Sequence, residues 1–268
     1  MAMTRIKILS DLHLETPAAY DVFAVTAGAP YLALLGDIGY VKDKGLMAFF
    51  EQQLSKFKTV FFLLGNHEPY HSDWVEAKQK LKEFGDDVRQ RRQAGASLGE
   101  FVLLDQTRYD ISSDVTILGC TLYSHILPSQ SDRVSFGLND FYHIKNWTIE
   151  DHEKAYIADL EWLNAQVASI SNAEPHRRLV IFTHHSPTTD ERAVDPAHAK
   201  SPISSGFSTD LSLEPCWTNP NVKVWAFGHT HFNCDFKDDK TGKRVLTNQK
   251  GYYFAQAAGF DETMVVEL

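Results

Sequence analysis

Seven side chains able to hold a divalent cation come shortly after the ends of apolar, strand-like runs. Asp11 and His13 follow residues 6–9, Asp37 follows 31–35, Asn66 follows 60–64, His184 follows 179–183, and His229 and His231 follow 222–227. Open α/β sheets present ligands beyond the carboxyl ends of their strands, so side chains far apart in sequence can converge there. Carboxylate, amide oxygen and imidazole form a hard-to-borderline donor set suited to Mn, Fe or Zn and poorly suited to copper(I) or iron–sulfur clusters. Seven donors exceed what one tetrahedral zinc can use. Two metals sharing one carboxylate would use them all.

The same residues fall into five ordered blocks: Asp11-Leu-His13, Gly36-Asp37, Gly65-Asn66-His67-Glu68, His184-His185 and Gly228-His229-Thr230-His231. This order resembles the calcineurin-like metallophosphoesterase superfamily, in particular its class III cyclic-nucleotide-phosphodiesterase-like members. Any one block is a weak signal, and the five together are specific. The resemblance implies that Asp11, His13, Asp37 and His231 hold one metal. Asp37 bridges to a second metal, held also by Asn66, His184 and His229. It implies a hydroxide activated by the metal pair as nucleophile, and His67 as general acid or phosphate contact. His185, beside a ligand, reads as a supporting or substrate-side group. Glu68 reads as an orienting or a solvated carboxylate, and Gly36, Gly65 and Gly228 as sharp exits from their strands.

Metal-activated water needs no separate protein base near neutral pH, because the bound ion lowers its pKa from about 15.7 toward roughly 7. An imidazole beside the ions can then protonate the departing oxygen. A lone histidine or aspartate at a strand end is ordinarily a loop or cap residue. Seven in register are not explained that way.

The 268 residues, 43% hydrophobic, fit a single α/β domain spanning 1–268, with no linker or internal repeat. Lys and Arg number 26 against 35 Asp and Glu, a net charge of -9. That balance argues against general nucleic-acid binding, which rests on a basic surface. Cys120, Cys216 and Cys234 are odd in number and widely spaced, as in a reduced intracellular protein. The run before Asp11 is too short for a signal peptide and no stretch approaches a membrane span, so the expected location is the cytoplasm.

To position the five blocks, the chain needs strands at 5–9, 31–35, 59–64, 101–104, 115–120, 178–183, 222–227, 253–256 and 264–267. Most are continuous apolar runs, as expected for strands covered on both faces. Residues 44–57 place Leu46, Phe50, Leu54 and Phe57 on one helical face, and 149–170 do the same with Tyr156, Leu160, Leu163, Val167 and Ile170. Thr148 and Asp151 form a capping-box variant before the second helix. Residues 89–99 read as a helix end running into a surface loop. The pattern agrees with the family's four-layer α/β/β/α sandwich, two mixed sheets flanked by helices.

Two long unpatterned segments, 123–146 and 186–217, read as binding loops. Their Phe136, Phe141, Tyr142 and Phe207 either stack on a substrate or cover a sheet edge, and His143 is the candidate substrate histidine among them. Protein phosphatases of the superfamily carry arginines beside the second and third blocks. Here those stretches read Gly36-Asp37-Ile38-Gly39-Tyr40-Val41 and Leu64-Gly65-Asn66-His67-Glu68. A monoester dianion benefits from an arginine fork more than a diester does. The expected substrate is therefore a small phosphodiester, such as a cyclic nucleotide or an aryl or alkyl diester, unless Arg133 or Arg192 enters the site. The alternatives are a phosphomonoesterase of the same superfamily and a metal-free binding scaffold.

Overall fold

Strands whose alternate side chains are all apolar must be covered on both faces, and this chain covers them with a second sheet on one side and helices on the other. The computed structural model describes residues 4–268. The first sheet comprises β1 (Arg5–Leu9), β2 (Tyr31–Leu35), β3 (Thr59–Leu63), β4 (Glu100–Leu103) and β13 (Val265–Glu267). Its order is β13-β1-β2-β3-β4, parallel except for the antiparallel β13 edge.

The second sheet comprises β5 (Thr107–Asp110), β6 (Val115–Gly119), β7 (Arg178–Phe182), β8 (Val222–Phe227), β9 (Asp235–Lys237) and β10 (Arg244–Thr247). Its order is β5-β6-β7-β8-β10-β9, with a parallel centre and antiparallel edges. The mixed character comes from these edges.

The period of two assigns the faces. Ile6, Ile8, Phe61 and Leu63 meet Ile117, Val180, Phe182 and Ala226 in a core between the sheets. The alternate residues, Val60 and Phe62 in one sheet and Leu179 and Ile181 in the other, face the helical layers. Over the first sheet lie α1 (Lys44–Leu54) and α2 (Trp74–Gln93); Leu46, Phe49, Phe50, Ala77, Leu81 and Val88 are their buried faces. The second sheet is covered by α5 (Ile149–Ala173), with Tyr156, Leu163, Val167 and Ile170 inward, and by the short α6 (Pro215–Thr218). The α/β/β/α sandwich read from the sequence is the architecture found.

The Thr148 hydroxyl accepts the Asp151 N–H and starts α5, as its spacing anticipates. Two expectations change and one helix goes unanticipated. Helix α1 ends at Leu54, although Phe57 stays buried beyond it. Helix α2 escapes the periodicity reading because only Trp74, Ala77, Leu81 and Val88 are buried along its 20 residues; Asp73 caps it by accepting the Glu76 N–H. Residues 253–256 are not one strand. They form the tip and second arm of a hairpin between β11 (Gly251–Tyr252) and β12 (Ala255–Gln256). Cys120, Cys216 and Cys234 are free thiols. No described helix is long and apolar enough to cross a membrane.

The segment 123–146 holds α3 (Ser131–Gly137) and α4 (Asp140–His143), and 186–217 holds single 3-10 turns at Glu191–Ala193 and Ser204–Gly206. The two segments meet: Ile126, Val134 and Leu138 pack with Phe141, Ile203 and Phe207 in a small separate apolar cluster.

Candidate metal centre

All seven candidate ligands meet where the parallel strands of both sheets end. Asp11, His13 and His231 form one group and Asp37, His184 and His229 another, each with ligand atoms within 4.8 Å of one another. Asp37 faces both. Its Oδ2 is 3.9 Å from His13 Nε2, and its Oδ1 is 3.4 Å from His184 Nε2. Asn66 joins the second group through Oδ1, 3.1 Å from His184 Nε2.

Five of these residues hold left-handed backbone: Asp11 (φ 52°), His13 (46°), Asp37 (52°), His229 (71°) and His231 (50°). For a residue with a Cβ this costs on the order of 1–3 kcal/mol and persists only where the surroundings impose it. The chain thus leaves each strand in a sharp turn that throws the ligand inward. Of the three glycines expected to permit those exits, Gly36 alone has positive φ, 85°. Gly65 and Gly228 are needed for space: a Cβ on Gly65 would lie 2.2 Å from Asp37 Oδ1, and one on Gly228 2.2 Å from the Ser10 hydroxyl.

Each ligand is held from behind. His184 Nδ1 donates to the Leu35 carbonyl at 2.8 Å, which leaves Nε2 with its lone pair toward the centre. Asp11 accepts the His229 N–H and the Ser10 hydroxyl. Glu68 accepts the N–H groups of Asp37 (3.0 Å), Ile38 (2.8 Å) and Gly65 (2.7 Å), so its carboxylate ties the second block to the third. Burial beside Asp37 pushes its pKa up to about 8, and the amide bonds oppose that by favouring the ion.

The electrostatics mark a place for cations. His13 Nε2 and His231 Nε2 stand 2.9 Å apart, an approach of two ring nitrogens that is favourable only with a proton or cation between them. Burial alone lowers the His184 pKa, but the Asp37 carboxylate outweighs it and raises the group to about 10. His229, equally buried and next to a charged His184, drops to about 3. Asp37 itself is held well below the usual carboxylate range, because the imidazoles overcome the effect of burial. Neighbouring groups whose pKa values are driven apart in this way are typical of metal and catalytic sites. The donor set fits a pair of divalent ions.

His67 is beside these groups. Its Nε2 is 3.9 Å from Asp37 Oδ2 and 3.2 Å from the Tyr252 hydroxyl. Its Nδ1 faces Glu15 Oε1 at 3.1 Å, and the same oxygen is 3.1 Å from His13 Nδ1. Burial opposes the imidazolium, yet Asp37 and Glu15 raise His67 to about 9, while hydrogen bonds to both histidines lower Glu15 to about 2 against its own burial. Glu15 was not singled out in the sequence, although it lies two residues after His13.

Asp140 is a second residue missed. It comes from α4 in the unpatterned 123–146 segment and accepts Asn66 Nδ2 at 2.7 Å and the Tyr70 hydroxyl at 2.5 Å. With its NH2 taken, Asn66 turns its Oδ1 to the centre. Tyr252, one residue ahead of the stretch read as a strand, is the third.

A cavity of about 350 Å³ opens over the centre, walled by Asp37, Asn66, His67, His229 and His231 below and by Leu138, Val194, Ile203 and Phe207 from the two long loops. Phe207 stacks on His229 at 4.9 Å. Phe136 and Tyr142 point to solvent, and Phe141 serves the small apolar cluster. Neither proposed substrate histidine reaches the cavity. His185 is 0% exposed and enclosed by Tyr123, His152 and His229, so it backs a ligand. His143 packs on Tyr70 and His71 outside the wall. Arg192 is bound to Asp190 and Asp239 over the Phe236 ring, and Arg133 is exposed; neither lines the cavity.

Comparison with known proteins agrees with this architecture. The fold is shared with the phosphopantetheinyl hydrolase PptH of Mycobacterium tuberculosis, at TM-score 0.69 and 14% identity over 100% of this chain and 96% of that one. It is shared also with a dimetal phosphatase from Danio rerio, at TM-score 0.56 and 13% identity over 91% and 86% of the two chains. In sequence, the uncharacterized protein L509 of Acanthamoeba polyphaga mimivirus is 28% identical across 93% of this chain and 92% of its own length. The family model described as calcineurin-like phosphoesterase matches residues 4–233, from the first strand to beyond the last candidate ligand, and the chain belongs to that family.

Proposed function

We propose that this chain is a binuclear-metal phosphodiesterase acting on small diesters, such as cyclic nucleotides or aryl and alkyl diesters. Family membership supports metal-dependent phosphoester hydrolysis as the reaction class. The observation that carries the finer reading is the cavity wall, to which no described lysine or arginine contributes. A monoester dianion brings an extra charge that such a wall cannot meet with a guanidinium or ammonium group, leaving it to imidazoles such as that of His67, whereas a diester monoanion asks less. The apolar roof of Leu138, Val194, Ile203 and Phe207 gives the second substituent a surface to lie on.

Asp11, His13, Asp37 and His231 would hold one ion, and Asp37, Asn66, His184 and His229 the other, with Mn, Fe or Zn matching the donors. When bound, such a pair clamps phosphoryl oxygens and lowers the pKa of the attacking water. His67 keeps its Nδ1 on Glu15 and presents Nε2 to the cavity, which suits it to protonating the leaving oxygen. The three free thiols fit a reducing compartment, and we place the protein in the cytoplasm on that basis.

The test pairs an aryl diester, the matching aryl monoester and a cyclic nucleotide with the Mn-loaded protein; the diester is expected to have the higher kcat/KM, and the reverse order refutes the reading. His67→Ala should lower turnover roughly 100-fold with metal content nearly intact. Loss of half the metal would make His67 a ligand instead.

A further inference from the structure

Tyr252 belongs to none of the five ligand blocks, yet it stands against the centre. Its hairpin hangs on the loop that carries Asp11 and His13: the Lys250 N–H donates to the Ser10 carbonyl at 3.1 Å, and the Gly251 N–H to the Asp11 carbonyl at 3.0 Å. Gly251 takes a φ of 77° to make that junction. The Tyr252 ring is then pinned between His13 (centroids 4.3 Å), His231 (4.7 Å) and a parallel Phe254 ring (5.3 Å). Its hydroxyl lies 3.2 Å from His67 Nε2, and the residue lines the cavity beside Asp37 and Asn66.

A phenol offers one donor and two lone pairs. The Tyr252 oxygen can therefore accept from His67 and still direct its O–H into the cavity. Asp140 is already engaged with Asn66 and Tyr70, and no described lysine or arginine lines the wall. A phenol keeps its proton at neutral pH, so Tyr252 is a neutral donor.

We propose that Tyr252 is a substrate-contacting catalytic residue whose hydroxyl donates to a non-bridging phosphoryl oxygen, taking the place an arginine or lysine would otherwise hold. The inference rests on the phosphodiester reading above, since a neutral donor complements a monoanion. No bond to Tyr252 is made or broken; the hydroxyl strengthens its hydrogen bond as charge builds on that oxygen. Its effect is therefore independent of which group departs.

The experiment uses the full-length, Mn-loaded protein and a series of aryl methyl phosphodiesters that differ in leaving-group pKa. Tyr252→Phe keeps the ring packing and removes the donor. Its kcat/KM should fall about 10- to 100-fold, equally across the series, with metal content unchanged. Tyr253→Phe, at the 66% exposed hairpin tip, should match the wild type. In the metal-free protein the 15N shift of His67 Nε2 should move in Tyr252→Phe and stay in Tyr253→Phe. A Tyr252→Phe enzyme within twofold of wild type overturns the proposal, as does a loss that grows with leaving-group pKa, which would put the hydroxyl on the departing oxygen. A wild-type preference for the monoester refutes the diester reading alone, and the same Phe-to-wild-type ratio, measured on the monoester, still decides whether Tyr252 is a donor.

Discussion

Replacing Asp140 by alanine tests how a residue from an unpatterned loop governs a metal ligand on the other side of the cavity. The carboxylate oxygen takes Asn66 Nδ2 at 2.7 Å and the Tyr70 hydroxyl at 2.5 Å, and it makes the shorter of the two contacts, the other being the Tyr70 hydroxyl at 3.3 Å, that fix which end of the Asn66 amide faces His184. A hydrogen bond to a charged acceptor contributes about 1.5–3 kcal/mol, and one tenfold change in binding is about 1.4 kcal/mol. Losing it should therefore weaken the second ion by roughly 10- to 100-fold, the range typical of the partners that orient metal ligands. Because Asp140 borders the cavity, water can reach the orphaned Tyr70 and Asn66 groups, and the fold should survive. Titration calorimetry with Mn or Zn should resolve two binding events in the wild type. In Asp140→Ala only the event assigned to Asp37, Asn66, His184 and His229 should shift, while the event assigned to Asp11, His13 and His231 stays. Tyr70→Phe, which leaves the Asp140–Asn66 bond in place, should change either event less than threefold. Equal affinities in Asp140→Ala and wild type, or loss of the first event with the second spared, would refute the reasoning.

Two further substitutions probe the frame. Gly65→Ala would set a methyl group 2.2 Å from Asp37 Oδ1 and 2.7 Å from the Asp37 backbone nitrogen, neither of which can yield, so stability should fall by about 1–3 kcal/mol and bridging of the two ions should fail. Thermal unfolding and metal analysis check it; a wild-type melting temperature with two ions bound contradicts it. Asp159, on α5, accepts Leu122 N–H and Gln106 Nε2, and burial pushes its pKa up to about 6. A carboxyl that titrates higher folded than unfolded holds its proton more tightly in the folded state, so its contribution to stability falls as pH rises from about 4 to about 6. The stability of the wild type relative to Asp159→Asn, from denaturant unfolding, should fall across that window, and a flat difference rules the idea out.

The parts legible in the sequence are those written in short-range pattern. Continuous apolar runs gave eight of the strands to within a residue or two, since a strand covered on both faces has no polar position to spare. Helix α5 was plain from its stripe and its Thr148 cap. Helix α2 was not, because a helix lying on one sheet face needs only a thin apolar line, and most of its other residues are charged. Edge strands β5 and β9 were missed because solvent on one side removes the apolar signature, and the buried β10 because only Val245 and Leu246 of its four residues are apolar.

The chain's own order of residues determined the reaction class and the donor set, because a metal ligand must have a particular chemistry and here sits at a strand end. What holds those donors was decided by the tertiary structure. Glu15, Asp140 and Tyr252 have ordinary local surroundings, and each acquires its part through a partner far along the chain: His67, Asn66 and His67 in turn. Hydrogen bonds and charges act through space, so a carboxylate or phenol becomes functional only when folding brings its partner within about 3 Å. The same holds for the cavity wall, to which no described lysine or arginine contributes, because of where two loops settle and where Arg192 is tied.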